Sequence, residues 1–138
     1  MDINAYLEEI LSIDLKIANK MYEVEMWRDI AQGSTASSDG ERVQSSGSQQ
    51  KMANAVVKYT DAEHEIEKLN YKKWLFIQRI ERMKKDYYQF MHDMYIKQMS
   101  LKEIQRAQRK SDTWATSKHY MAKKMLKEII EGEGHEQG

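Results

Sequence analysis

From Met52 to Met94 apolar residues return at alternating steps of three and four. The row is Met52, Ala55, Tyr59, Ala62, Ile66, Leu69, Phe76, Ile80, Met83, Tyr87, Phe90 and Met94, and only Lys73 interrupts it. Such steps keep one face of an α-helix apolar along its whole length. A seam of about six heptads must be covered by a hairpin with another helix, by a bundle between chains, or by both. The run Trp74-Leu75-Phe76-Ile77 is apolar on several sides and predicts a packing junction. A bend is expected between Met83 and Asp86, with Tyr87 to Lys97 forming a short helix that leads to Ser100.

The partner for this seam lies at the start of the chain. Ile3, Leu7, Ile10, Ile17, Met21 and Val24 recur at helical spacing, Tyr6, Ile13 and Trp27 widen the stripe, and Asp14 stands where one apolar residue is missing. This predicts a long amphipathic helix of the coiled-coil type from Asp2 to about Gln32, followed by a second from Lys51. Asp14 is either tolerated near an end of the seam or fixes its register, and the pattern leaves both open. Between the helices, residues 33–49 are rich in glycine and serine, bury little and read as a loop. The segment lacks the Gly-Lys-Ser/Thr ending of a phosphate-binding loop, so nucleotide binding is not expected. Arg42, Val43 and Gln44 are its residues with most to offer a partner.

Composition agrees with an all-α chain. There is no proline, and Lys, Glu, Met, Ile and Leu are abundant. There is no cysteine, which excludes disulfides and thiolate metal sites. No apolar run approaches the roughly 18 residues needed to cross a bilayer, and the acidic start is unlike a signal peptide. No membrane association is expected, and the expected location is the cytoplasm. The length of 138 residues fits one domain, or a small domain joined to an extended helical part.

Met99 to Leu126 reads as two helices joined by a tight bend. Ser100 and Glu103 have the spacing of a capping box, and Leu101, Ile104 and Ala107 give the first helix a small apolar face. Ser111 is a second cap, with Asp112 favoured in the next turn by the helix dipole. The second helix is expected from Asp112 to about Ile130, with Trp114 or Ala115, Ala122, Leu126 and Ile129 facing inward. Two short helices joined in this way are the layout of a helix-turn-helix, although spacing alone also fits a plain helical hairpin.

Charge separates the halves. Residues 1–70 carry seven Lys/Arg against thirteen Asp/Glu, and residues 71–130 carry fifteen against six. Lys102, Arg106, Arg109, Lys110, Lys118, Lys123, Lys124 and Lys127 all fall in or beside the two short helices. Such a basic concentration suits a polyanion such as double-stranded DNA, against the plainer reading of a solvated helix surface.

The segment ERVQSSGSQQKMANAV (Glu41 to Val56), then YIKQMSLKEI (Tyr95 to Ile104) and DTWATSKH (ending at His119), resembles a family of small phage and prophage proteins of Gram-positive bacteria. That family joins an N-terminal helical region to a C-terminal part similar to region four of sigma-70-type factors, and it overlaps in character with phage late-gene transcription activators. The resemblance implies a bacterial host cytoplasm, DNA binding through the second short helix, and contact with host RNA polymerase. Carried over by position, Thr113, Thr116, Ser117 and Tyr120 would face base edges or phosphates. Arg106, Arg109, Lys110 and Lys118 would attract phosphates, with Lys102 beside them. The chain departs from the family pattern at Gln105, at Arg109 where a turn glycine is usual, and at Lys118 and Lys123 where apolar residues are usual. A left-handed turn at a non-glycine residue costs about 1 kcal/mol, which predicts a wider or displaced turn.

The expected architecture is a helical hairpin or coiled coil over residues 1–85, a sigma region-four-like helix-turn-helix over 86–130, and a disordered tail over 131–138. Catalysis, cofactors and metals are not expected, because His64, His92, His119 and His135 are scattered and none pairs with another at ligand spacing. Trp114 reads as a core anchor in preference to a base-stacking residue. Three functional readings follow: a DNA-binding transcription regulator, a small terminase subunit for DNA packaging, or a helical interaction or inhibitor protein that mimics a sigma region. A homo-oligomer, with a dimer favoured, is expected for the long helices.

Overall fold

The computed structural model describes residues 1–33 and 46–136. The expected loop contacts at Arg42, Val43 and Gln44 lie outside the described residues. Described elements are α1 (Ile3–Ala31), α2 (Ser46–Ile80), α3 (Lys85–Met91), a π-helical turn (His92–Ile96), α4 (Leu101–Gln108) and α5 (Asp112–Glu136). The protein is all-α.

Local chemistry sets the ends of these helices. The Asp2 carboxylate accepts the free amide of Ala5 at 3.1 Å and opens α1. Gly33, with φ +69°, closes it in the left-handed conformation that glycine adopts without a Cβ clash. Helix α2 starts five residues earlier than Lys51, so residues 46–49 are helix and not loop. A Gln50–Asn54 side-chain bond of 3.0 Å spans its first turns. The chain leaves α2 at Ile80 and resumes at Lys85, with Lys84 in an extended conformation, which places the bend where it was expected.

Two compact units form, and their division is not at residue 85. One contains residues 1–12 and 72–138, the other residues 13–71. Within the first, the start of α1 runs antiparallel to the end of α2, with Tyr6 against Phe76 (ring centroids 6.3 Å) and Lys72 paired with Glu9. Its core includes Leu7, Ile10, Phe76, Ile80, Phe90, Met91, Tyr95, Ile104, Ala115, Ala122 and Leu126. Within the second, Arg28 of α1 pairs with Glu63 of α2 at 3.0 Å and covers the Tyr59 ring. The buried residues there are Ile13, Val24, Ala55 and Ala62, whereas Leu15, Met21, Tyr22, Met26 and Val57 are exposed. Met21 was expected in the seam. Trp74, expected at a junction, is 53% exposed, while Phe76 two residues on is fully buried.

The expected disordered tail is helical through Glu136. Glu133 accounts for this: its carboxylate takes two bonds from Arg79 Nε and one from Arg79 Nη2 at 2.8 Å, and it also pairs with Arg82. Arg79 in turn donates to the Tyr6 hydroxyl at 3.1 Å, tying α5 to α2 and α1. Arg79 holds the Glu133 carboxyl below the usual carboxylate range. A charge-assisted clamp of this kind offsets the two glycines, Gly132 and Gly134, that flank it inside the helix.

An added Cβ at either glycine meets nothing within 4 Å. Gly132→Ala and Gly134→Ala are therefore each expected to stabilise the protein by about 0.5–1 kcal/mol through helix propensity. Chemical denaturation checks this, and a loss of stability in either variant would contradict the helical geometry of residues 131–136.

Candidate nucleic-acid interface

The bend into α4 is built from the π-helical turn. Lys97 N–H donates to the His92 carbonyl and Met99 N–H to the Asp93 carbonyl, both at 3.0 Å, and Gln98 adopts a left-handed φ of 59°. The chain then enters α4 through a capping box. Glu103 N–H donates to Ser100 Oγ at 3.1 Å, and Ser100 N–H donates to the Glu103 carboxylate at 3.0 Å. Those bonds to Ser100 lower the Glu103 pKa.

Helix α4 ends at a turn that is neither widened nor displaced. Arg109 itself takes the left-handed conformation, φ 58° and ψ 47°, and Lys110 N–H closes back on the Gln105 carbonyl at 2.9 Å. Ser111 then caps α5, its hydroxyl accepting Trp114 N–H at 3.0 Å. Ile104 is buried against this corner, while Ala107, expected on the same apolar face, is exposed.

The inner side of α5 carries Ala115, Ala122 and Leu126, all buried. Its outer side carries Thr113, Thr116, Ser117 and Tyr120, all exposed, with Tyr120 at 63%. Lys124 continues that row and is exposed. On α4 and the turn, Lys102, Arg106, Arg109 and Lys110 are also exposed, and Lys110 Nζ stands 5.9 Å from the Trp114 ring centroid. The structure thus brings two groups of residues to the surface of one helix-turn-helix: short hydroxyl side chains on α5 and cations on α4 and its turn.

Lys118 departs from its expected role. Its side chain is 14% exposed, pairs with Asp86 of α3 and lies 4.0 Å over the Tyr87 ring. That contact lowers the Asp86 pKa. An ammonium held by a carboxylate and an aromatic face joins α5 to α3 and has little left for a phosphate. Lys123 is likewise engaged, donating to the Asn4 side chain at 3.1 Å.

Behind this surface lies a residue whose part was not visible in the sequence. His119 Nε2 is 2.7 Å from the Tyr95 hydroxyl, and its ring packs 6.0 Å from Phe90. Trp114 also meets Phe90, edge-on at 6.0 Å, as a core anchor would. Burial pushes His119 down to about 4 and Tyr95 up to about 12, so both are neutral near pH 7. Among the described residues no group of three His, Asp or Glu side chains is placed to hold a metal ion.

Two expectations follow. At Arg109, glycine accepts the left-handed backbone and a β-branched residue does not, so Arg109→Val should be less stable than Arg109→Gly by about 1–2 kcal/mol. Equal denaturation midpoints would place the turn elsewhere. For His119, the unfolded imidazole protonates near 6.5 and the folded one near 4, so the unfolded chain binds the extra proton between those values. Stability should be full above about 6.5 and fall as pH drops toward 4, and His119→Gln should flatten the fall. Urea midpoints measured across this range give the result, and an unchanged slope in the variant would remove His119 as its cause.

Comparison of the chain with protein-family models, with curated proteins and with solved structures gives no match.

Proposed function

We propose that this protein is a phage-encoded DNA-binding transcription regulator that acts with host RNA polymerase, with α5 entering the major groove of double-stranded DNA. The observation that carries the DNA-binding part is the outward row Thr113, Thr116, Ser117 and Tyr120 on a capped helix that follows a three-residue turn. Side chains of this kind reach base edges and phosphate oxygens. Lys102, Arg106, Arg109 and Lys110, exposed on α4 and the turn, supply the sequence-independent attraction to the backbone. Lys118 is left out of the interface because Asp86 and Tyr87 already hold it. The phage setting and the polymerase contact rest on the likeness of residues 41–56, 95–104 and 112–119 to the sigma region-four-like family.

Self-association is part of the same reading. Leu15, Met21, Tyr22, Met26 and Val57 leave apolar surface exposed on the acidic two-helix unit, which supports a dimer. The same surface keeps the packaging-subunit reading in play, and the mass in solution separates the two. A ring of many subunits argues for packaging and a dimer for regulation.

The deciding experiment is a duplex-DNA binding titration at several salt concentrations. Replacing Arg106, Arg109 and Lys110 together with alanine should weaken binding to all sequences alike and reduce the slope of log K against log salt by up to about three. Thr116→Ala with Ser117→Ala should change preference among sequences while leaving that slope in place. Absence of any DNA shift at low salt, together with failure to bind host RNA polymerase, would defeat the proposal.

A further inference from the structure

Between α3, α4 and α5 lies an open cavity of about 410 Å³ that the DNA-binding surface does not use. Phe90, Ile104 and Trp114 give it apolar walls, and Asp93 and Gln108 contribute polar atoms. Phe90 and Trp114 meet edge to face, so the cavity has two aromatic surfaces set at a steep angle (interplanar 73°).

Asp93 is the unusual member. It is a buried charged residue, 9% exposed, and it sits in the π-helical turn, a distortion often found where a side chain has a task. Gln89 Nε2 at 2.9 Å and Lys97 Nζ at 3.2 Å both reach its Oδ1. Both of these contacts are made at one edge of the carboxylate. Lys97 is 55% exposed and four residues along the same segment, a weak surface partner for a buried carboxylate. A buried carboxylate beside aromatic walls is chemistry for a planar cation. It calls for a group that stacks on an indole, gives up its hydration readily and donates hydrogen bonds in a fork.

We propose that this cavity binds the arginine side chain of a protein segment, the guanidinium donating to the Asp93 carboxylate and stacking on Trp114. Arginine fits better than lysine because lysine is a strongly hydrated point charge that does not stack. The charges on the rim permit it. Lys118 is cancelled by Asp86, and Lys85 is exposed, so its repulsion is screened by salt. The site faces a different ligand from the hydroxyl row of α5, so its occupancy does not require DNA.

The test uses the full chain and N-acetyl-arginine N-methylamide as probe, followed through the indole N–H resonances of Trp27, Trp74 and Trp114. Saturable movement of the Trp114 signal alone, at millimolar probe, is expected. The citrulline counterpart has the same shape without the charge and should bind at least roughly tenfold more weakly, as should arginine to Asp93→Asn. If Asp93→Asn does not fold, the arginine–citrulline comparison on the unaltered chain still decides. A Trp114 signal that does not move, or equal binding of arginine and citrulline, or undiminished binding by folded Asp93→Asn, overturns the proposal.

Discussion

The C-terminal unit depends on one neutral contact, the 2.7 Å bond between Tyr95 and His119. It is the middle link of a chain of rings. Tyr6 meets Phe76, Phe76 meets Tyr95, Tyr95 meets His119, His119 meets Phe90, and Phe90 meets Trp114, with successive centroids 5.9–6.3 Å apart. The rings come from α1, α2, the π-helical turn, α5 and α3, so one row of aromatic contacts orders the elements of the unit. Aromatic pairs add about 0.5–1.5 kcal/mol each beyond the area they bury. The polar link in the middle is tolerated because each partner satisfies the other. A charged imidazole at that place would lose hydration, and the Lys123 ammonium would repel it.

The π-helical turn is what allows Tyr95 to face inward. The three-and-four rhythm of the sequence put Phe90 and Met94 on the inner side. In the structure Phe90, Met91, Asp93 and Tyr95 are buried, and Met94 is only half-buried. One wider turn rotates the following residues past the α-helical register, and a periodicity argument that assumes regular helix cannot see it. The same insertion leads to left-handed Gln98 and so to the extended Ser100 that caps α4.

Features of short sequence range were legible. The capping box of Ser100 and Glu103, the Ser111 cap, the inner row of Ala115, Ala122 and Leu126, and the two long helices all follow from residues within one or two turns of each other. Longer pairings were not. Glu133 reads as part of an acidic tail until Arg79, fifty-four positions away, is placed beside it. Lys118 reads as a free cation until Asp86 and Tyr87 are placed beneath it. Arg109 illustrates a third kind of miss. A left-handed arginine carries a steric cost, but the closing bonds from Arg109 N–H to Arg106 and from Lys110 N–H to Gln105 hold the tight turn in spite of it.

That cost bears on how the basic charge is arranged. On α5 the cations nearest the core, Lys118 and Lys123, are engaged with Asp86 and Asn4, which leaves the outward row uncharged except for Lys124. Exposed cations are instead concentrated on α4 and at the turn itself, where Arg109 occupies the conformation glycine would hold with less strain. A glycine there would remove about 1 kcal/mol of strain together with one exposed positive charge. On the DNA-binding reading this separates two tasks: charge on α4 and the turn sets position on the phosphate backbone, and hydroxyl groups on α5 meet the bases. An outward row rich in lysine would bind backbone wherever it landed. A row of threonine, serine and tyrosine gains little from bulk charge, so its contribution depends on which base edges it meets.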